Sequence, residues 1–251
     1  MKEDFNYQII FRDIIGQDSA IKILCSALVK NHIAPGYLFT GPKGVGRRLC
    51  AKRFIEGLLL ESFLSNQQRS RIESGNHPDL LWIEPTFNSQ GKLIPKSQAK
   101  VENINLRSKP QIRIEQIKEL KSFLAQNPIE AKRQVIIIDE VEEMTEAASN
   151  ALLKTLEEPQ NGVLILISTR PESLLSTINS RCQKIQFNFL DQTSLLKVFE
   201  SMESEKDEII LKLNNIDSPE LISLASGSPG AFIENLKTWE KIPKDLLNSL
   251  K

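Results

Sequence analysis

Gln134-Val135-Ile136-Ile137-Ile138-Asp139-Glu140 opens the stretch, closing at Cys182, from which the rest of the chain can be read. Four consecutive β-branched apolar residues followed by two carboxylates predict a strand buried on both faces that ends in a polar site. Glu142-Glu143-Met144 through Leu156-Glu157-Glu158-Pro159 follows, an amphipathic helix that is acidic at its start and stopped by the proline. Gly162 to Thr169 is a second buried strand. Ser180-Arg181-Cys182 then closes the unit before a third apolar piece, Ile185-Gln186-Phe187. Strand, helix, strand at this spacing predicts a right-handed parallel crossover, in which functional polar groups collect at the carboxyl ends of the strands.

Bulk properties narrow the class. The 251 residues carry 32 basic and 32 acidic side chains, so no global positive charge marks a nucleic-acid binder, although a local patch is still open. A hydrophobic content of 40% and a charged content of 25% fit a soluble globular protein. No apolar run approaches a membrane span, and Met1-Lys2-Glu3-Asp4 leads into no signal core, so a cytoplasmic protein with no membrane partner is expected. Cys25, Cys50 and Cys182 are scattered and make neither a disulfide framework nor a zinc spacing.

Outward from that stretch, Phe11 to Gln17 is a short lead-in turning at Gly16-Gln17. Asp18 and Ser19 are placed to cap a helix to about Asn31, with Ile21, Leu24, Leu28 and Val29 on its apolar side. Tyr37 to Thr40 is a short strand. Gly41-Pro42-Lys43-Gly44-Val45-Gly46-Arg47-Arg48 follows, and a helix runs from there to about Leu64. Strand, glycine-rich loop, helix is the context of a phosphate-binding loop, which aims backbone N–H groups and a positive helix end at phosphate oxygens. The loop departs from the catalytic pattern. Arg47 stands where a lysine would meet the terminal phosphates, and Arg48 stands where a hydroxyl would meet magnesium. A planar guanidinium attracts phosphate but is no compact ammonium, and it offers no metal ligand. Two readings follow from the residues: a glycine turn in a fold that once bound nucleotide, or weak binding without hydrolysis.

Gln67 to Asn76 is polar and expected to be a loop. His77-Pro78-Asp79 opens a strand at Leu80 to Ile83; His77 has no second candidate ligand nearby and reads as a turn residue. Residues 84–110 read as a long excursion with Lys92, Lys96, Lys100, Arg107 and Lys109, either solvated or touching DNA or a partner. A helix starts at Ile112 and ends before Pro128. Asp191 to about Ser204, Lys206 to Leu213 and Ser218 to Leu221 read as short helices, and Gly227-Ser228-Pro229-Gly230 as a turn into Ala231-Phe232. The strand patterns cease near Asn188.

Taken together, these motifs resemble those of the AAA+ clamp-loader family, the delta-prime branch of bacterial DNA polymerase III in particular. The likeness is carried by Gly41 to Gly46, His77-Pro78-Asp79, Val135 to Glu140, Asn150 to Pro159, Ser180-Arg181-Cys182 and Gly227 to Gly230, and it covers about residues 11 to 235. It implies an α/β fold: an AAA+ P-loop core, three-layered on a parallel sheet, over residues 1–187. A small helical lid over 188–236 would follow, and 237–251 would be a C-terminal tail or the start of a missing collar domain. It further implies roles. Asp139 matches the acid beside magnesium, Glu140 the acid that polarises water, and Ser168 and Thr169 the sensors of the terminal phosphate. Gly41, Gly44, Gly46, Arg47 and Arg48 would form a degenerate nucleotide loop. Read alone, Arg181 is a surface salt-bridge residue; within Ser-Arg-Cys it matches an arginine finger acting in trans on a neighbour's nucleotide.

The departures point one way. Arg47 and Arg48 replace the catalytic lysine and the metal hydroxyl, and Ala231 stands where active relatives carry a sensing arginine. Residues 51–79 hold no cysteine, so the four-cysteine zinc module of many relatives is not expected. The resemblance therefore implies a non-catalytic clamp-loader subunit partnered by an ATPase subunit and a clamp-opening subunit. Through that complex it would serve the sliding clamp and primed DNA. ATP and magnesium would be held weakly here or by the neighbour, and no zinc would be bound. Two other functions compete. A self-sufficient AAA+ ATPase, such as the motor subunit of the loader, is favoured by Asp139 and Glu140. A small-molecule P-loop kinase needs the same missing lysine and leaves Ser180-Arg181-Cys182 unexplained.

Overall fold

In the computed structural model, residues 7–59, 66–89, 91–102, 108–158, 162–203 and 226–239 are described. A 3₁₀ turn at Tyr7–Phe11 leads into α1 (Asp18–Val29), β1 (Gly36–Thr40), α2 (Arg47–Leu59) and α3 (Asn66–Glu73). Then come β2 (Leu80–Ile83), β3 (Thr86–Ser89), β4 (Lys92–Pro95), α4 (Lys96–Val101) and α5 (Ile114–Leu124). The chain continues through β5 (Gln134–Ile138), α6 (Glu146–Glu157), β6 (Gly162–Ser168), α7 (Ser176–Arg181) and β7 (Gln183–Gln186) to α8 (Gln192–Glu203) and α9 (Pro229–Trp239).

Five of the strands form a parallel sheet in the order β2-β5-β6-β1-β7. Strands β1, β5 and β6 lie inside it, and every residue of each is buried, as their unbroken apolar runs require. Edge strand β7 instead buries only Ile185. Because side chains alternate across a strand, one sequence run feeds two cores. Tyr37, Phe39, Val135, Ile137, Val163 and Ile165 face α1 and α2, while Leu38, Ile136, Ile138, Leu164 and Leu166 face α5, α6 and α7. The result is the three-layer α/β arrangement the sequence predicts. Beyond the sheet, Leu195 and Phe199 of α8 and Phe232 of α9 join the α1–α2 core, with the Phe199 and Phe232 rings 4.7 Å apart.

Several expectations are corrected. Gln67 to Asn76 is not a loop: α3 is held by Ile72, which is fully buried, and by ion pairs that join Arg69 to Glu56 and Glu73 to Arg53. Glu56 and Arg53 are themselves buried in that network, which also takes in Asp13. The 84–110 excursion contains the antiparallel β3–β4 hairpin and α4. Its turn is fixed by the Asn88 side chain, which accepts the Gly91 N–H at 3.1 Å. Val29 is 66% exposed, not on the apolar side of α1. Asp18 and Ser19 do not cap α1; Gln17 occupies that position and uses its side chain elsewhere, donating to the Val45 and Asn188 carbonyls. The helices expected at 206–213 and 218–221, the end of the helix expected to Leu64, and residues 240–251 lie outside the described residues. Among the described residues no helix is long and apolar enough to cross a membrane.

Candidate functional site

The phosphate-type loop leaves the carboxyl end of β1 and enters α2, as its sequence context predicts. Gly41, Gly44 and Gly46 all have positive φ, at 148°, 81° and 97°. Two of these are fixed by close approach as well. A Cβ on Gly41 would lie 2.3 Å from the Phe187 carbonyl oxygen, and one on Gly44 would lie 2.6 Å from the Ser228 hydroxyl. The loop is thus clasped from two sides. Phe187 N–H donates to the Thr40 carbonyl at 2.8 Å, and the start of α9 closes over residues 43–44. There the Ser228 hydroxyl donates to the Lys43 carbonyl at 2.6 Å and the Gly230 N–H to the Gly44 carbonyl at 3.0 Å. Ser228 also caps α9 by accepting the Ala231 N–H at 3.2 Å.

The two arginines at the start of α2 have partners within the chain. Arg47 is buried and donates to the Ser168 carbonyl at the end of β6. Burial draws its guanidinium down from the ordinary arginine value, while Glu142 and Asp139 oppose that shift. Arg48 pairs through Nε with Asp139 and lies 3.3 Å from Glu140. Glu140 also receives the Lys96 ammonium from α4. Asp139 is 2% exposed, and burial lifts its carboxyl to about 6, although Arg48 pulls the other way. Glu140 holds a left-handed backbone at φ 49°, a conformation a non-glycine residue adopts only under local constraint.

Thr169 joins the same end of the sheet through a residue the sequence did not single out. Its N–H donates to Glu142 at 2.9 Å, and its hydroxyl bonds the same oxygen. Burial raises the Glu142 carboxyl, but hydrogen bonding from the Thr169 hydroxyl, the Glu142 and Thr169 N–H groups and the Ser168 hydroxyl together holds the group below the usual range. So Gly41, Gly44, Gly46, Arg47, Arg48, Asp139, Glu140 and Thr169 do converge at the carboxyl ends of β1, β5 and β6. Lys96, Glu142, Ser228 and Gln17 complete the cluster, and only side chains distant in sequence reveal them.

That geometry does not fit a magnesium nucleotide. The carboxylates that would face a metal face a guanidinium and an ammonium, and position 48 supplies no hydroxyl. Among the described residues no group of three His, Cys, Asp or Glu side chains is arranged to hold a metal ion. All three cysteines are buried, and burial raises each thiol, that of Cys182 to about 12.

Arg181 lies elsewhere. It ends α7, immediately before β7, whose Gln183 is in register with Tyr37 at the amino end of β1. A Cβ on Gly36 would lie 3.7 Å from the Arg181 carbonyl oxygen. The phosphate-type loop leaves the opposite end of β1. The four steps from Gly36 to Thr40, at about 3.3 Å each, put about 13 Å of strand between them. The Arg181 guanidinium donates to the Thr177 carbonyl at 3.2 Å and to Glu157 at 2.8 Å.

His77 is a turn residue, but a buried one. Its Nδ1 accepts the Asp79 N–H at 3.1 Å, and burial lowers its pKa against the opposing pull of Glu130 and Asp79. Asp79, also buried, accepts the N–H groups of Ile129, Glu130 and Ala131, each at 2.7 Å.

Comparison with known proteins turns these features into a family. The family model described as "DNA polymerase III, delta subunit" matches residues 16–191. A second, described as "Cyanobacterial DNA polymerase III delta prime, C-terminal domain", matches residues 193–251. The chain belongs to the delta-prime family of DNA polymerase III clamp-loader subunits. It is 34% identical to DNA polymerase III subunit delta' of Bacillus subtilis over 186 residues, which cover 71% of this chain and 50% of that protein. It is 30% identical to DNA polymerase III subunit tau/gamma of Haemophilus influenzae over 240 residues, 92% of this chain and 30% of that protein. The matched regions therefore span half or less of these relatives. Among solved structures, the Holliday junction branch migration motor RuvB of Thermotoga maritima superposes with a TM-score of 0.52. That match covers 94% of this chain and 64% of RuvB at 15% identity, a likeness of the AAA+ P-loop fold alone.

Proposed function

We propose that the chain is a non-catalytic, delta-prime-like subunit of the DNA polymerase III clamp loader and works in the cytoplasm. Its own phosphate-type site is inert, and Arg181 acts as an arginine finger on nucleotide held by a neighbouring ATPase subunit. Together with that ATPase subunit and a clamp-opening subunit, the chain loads the sliding clamp on primed DNA. The observation that carries this reading is the pairing of Arg47 with the Ser168 carbonyl and of Arg48 with Asp139 and Glu140. The groups that would hold phosphate and metal are tied to one another. The position of Arg181 at the far end of β1 supports the second half of the reading. A side chain there cannot reach its own loop, so any phosphate it meets belongs to another subunit. A guanidinium suits that task because it is always charged and presents a planar fork to phosphate oxygens.

The likeness to tau/gamma over most of the chain favours one competing reading, a self-sufficient ATPase motor. A titration separates the two. The isolated chain with ATP and magnesium is expected to show no saturable binding and no turnover above background. Arg47→Lys with Arg48→Thr is expected to gain binding but not turnover, because Ala231 still leaves a contact missing. Robust turnover by the unaltered chain, abolished by Glu140→Gln, would establish the motor instead.

A further inference from the structure

Arg181 is steered by a second residue, and the geometry points to Glu157. We infer that Glu157 is a positioning residue: its carboxylate holds the Arg181 guanidinium in the pose presented to the neighbour's phosphate. This rests on the proposed finger role.

Glu157 is the last residue of α6 and Arg181 the last of α7. The two helices pack through a shared core that includes Leu152, Leu156 and Ile178, so their ends are held at a set separation. The Glu157–Arg181 bond closes at 2.8 Å across that gap, and the Thr177 carbonyl holds a second guanidinium nitrogen at 3.2 Å. A guanidinium has five N–H donors, so two bonds orient it and leave most of the fork for a ligand. Both side chains reach solvent: 36% of Arg181 and 53% of Glu157 is exposed. An exposed pair of this kind adds little to folding stability, so its loss leaves the fold in place and any change in coupled turnover reports on the arginine. The nearby carboxylate does not by itself repel an incoming phosphate strongly. At about 8 Å in water two unit charges differ from no interaction by less than a factor of about three in an equilibrium. The same weakness caps the effect, since an exposed ion pair is worth at most about fivefold.

The test is made in the reconstituted full-length complex, with kcat and KM for ATP measured in the presence of primed DNA and clamp. Glu157→Ala is expected to assemble normally and to lower the finger-dependent kcat by two- to fivefold, the range an exposed pair allows, with KM changed less. Glu157→Gln keeps an acceptor oxygen and is expected to recover part of that loss. In an Arg181→Ala background, Glu157→Ala is expected to do nothing more. If Arg181→Ala lowers the rate and Glu157→Ala leaves it unchanged, the positioning role is wrong and the finger stands. If Glu157→Ala raises the rate, the carboxylate sequesters the arginine, and the inference is equally overturned. If Arg181→Ala itself changes nothing, the finger reading fails first.

Discussion

Replacing Asp79 by alanine is expected to destabilise the fold by about 3 kcal/mol, at about 1 kcal/mol for each of three lost hydrogen bonds. The carboxylate is fully buried and accepts three successive N–H groups, from Ile129, Glu130 and Ala131, at 2.7 Å each. Burial alone would raise its pKa, but those donors hold it below the ordinary carboxylate value, so the group is ionised in the folded state and favours folding. Charge-assisted bonds of this length can be worth about twice as much as neutral ones. The lower figure is the right one here because Ile129 is 73% exposed, so water can reach the freed N–H groups. The effect reaches the candidate site through the backbone: the Asp79 carbonyl accepts the Val135 N–H at 2.9 Å, and that strand ends at Ile138, next to Asp139. Urea denaturation followed by circular dichroism measures the loss. The sign with pH is fixed too. A depressed carboxylate pKa gives stability that is complete above the unfolded value near 3.8 and is lost as pH falls through the lower folded value. Asp79→Ala should therefore cost more at pH 7 than at strongly acidic pH. A loss below about 0.5 kcal/mol at pH 7, the range of an unremarkable surface change, would refute the anchoring role.

Asp139→Asn should behave in the opposite sense. The Asp139 carboxyl rises from 3.8 to about 6 on folding, so its contribution is full below the unfolded value and lost as pH climbs through the folded one. Relative to the unaltered chain, the asparagine variant, which can still accept the Glu140 N–H, should be about 2 kcal/mol better off at pH 8 than at pH 4; thermal melts of both proteins at the two pH values that show no such difference would refute this. Gly44→Ala and Gly46→Ala both force a side chain into positive φ, yet only the Cβ at position 44 meets the Ser228 side chain and the Ala231 backbone, while that at 46 meets nothing within 4 Å. Gly44→Ala should lower the melting temperature more, and equal losses would mean that α9 does not seat on the loop.

The sheet was legible because its signal is local. Val135 to Ile138 and Val163 to Ile167 announce buried strands in their own composition, and the alternation of their side chains then divides the two cores. The phosphate-type loop was equally plain from its glycines. What escaped had its cause far along the chain. The α3 segment has almost no apolar periodicity and is held by Ile72 and by ion pairs to α2. The β3–β4 hairpin carried a usable cue, Asn88 three residues before Gly91, diluted by the surrounding lysines. Lys96 read as a solvated charge because Glu140, its partner, lies 44 residues away. Gln17 gave no sign that it bridges the loop to Asn188, nor Asp79 that it anchors the turn before β5. Arg181 was visible only through its motif, and its bond to Glu157 required the two helices to be packed side by side.

The finger role of Arg181 is tested most directly by Arg181→Ala in the reconstituted loader. The variant chain is expected to fold, because the residue's own contacts form an exposed ion pair, and size-exclusion chromatography of the complex checks that it assembles. DNA-stimulated ATPase should fall, modestly if only one of several sites loses its finger, although at that site the loss is expected to approach about 10³–10⁵. Clamp loading should fall further if every site must fire. Arg181→Lys should rescue poorly, since lysine keeps the charge but not the planar fork. A complex carrying Arg181→Ala that assembles and loads clamps at the unaltered rate would contradict the finger role and return Arg181 to an ordinary surface ion pair with Glu157.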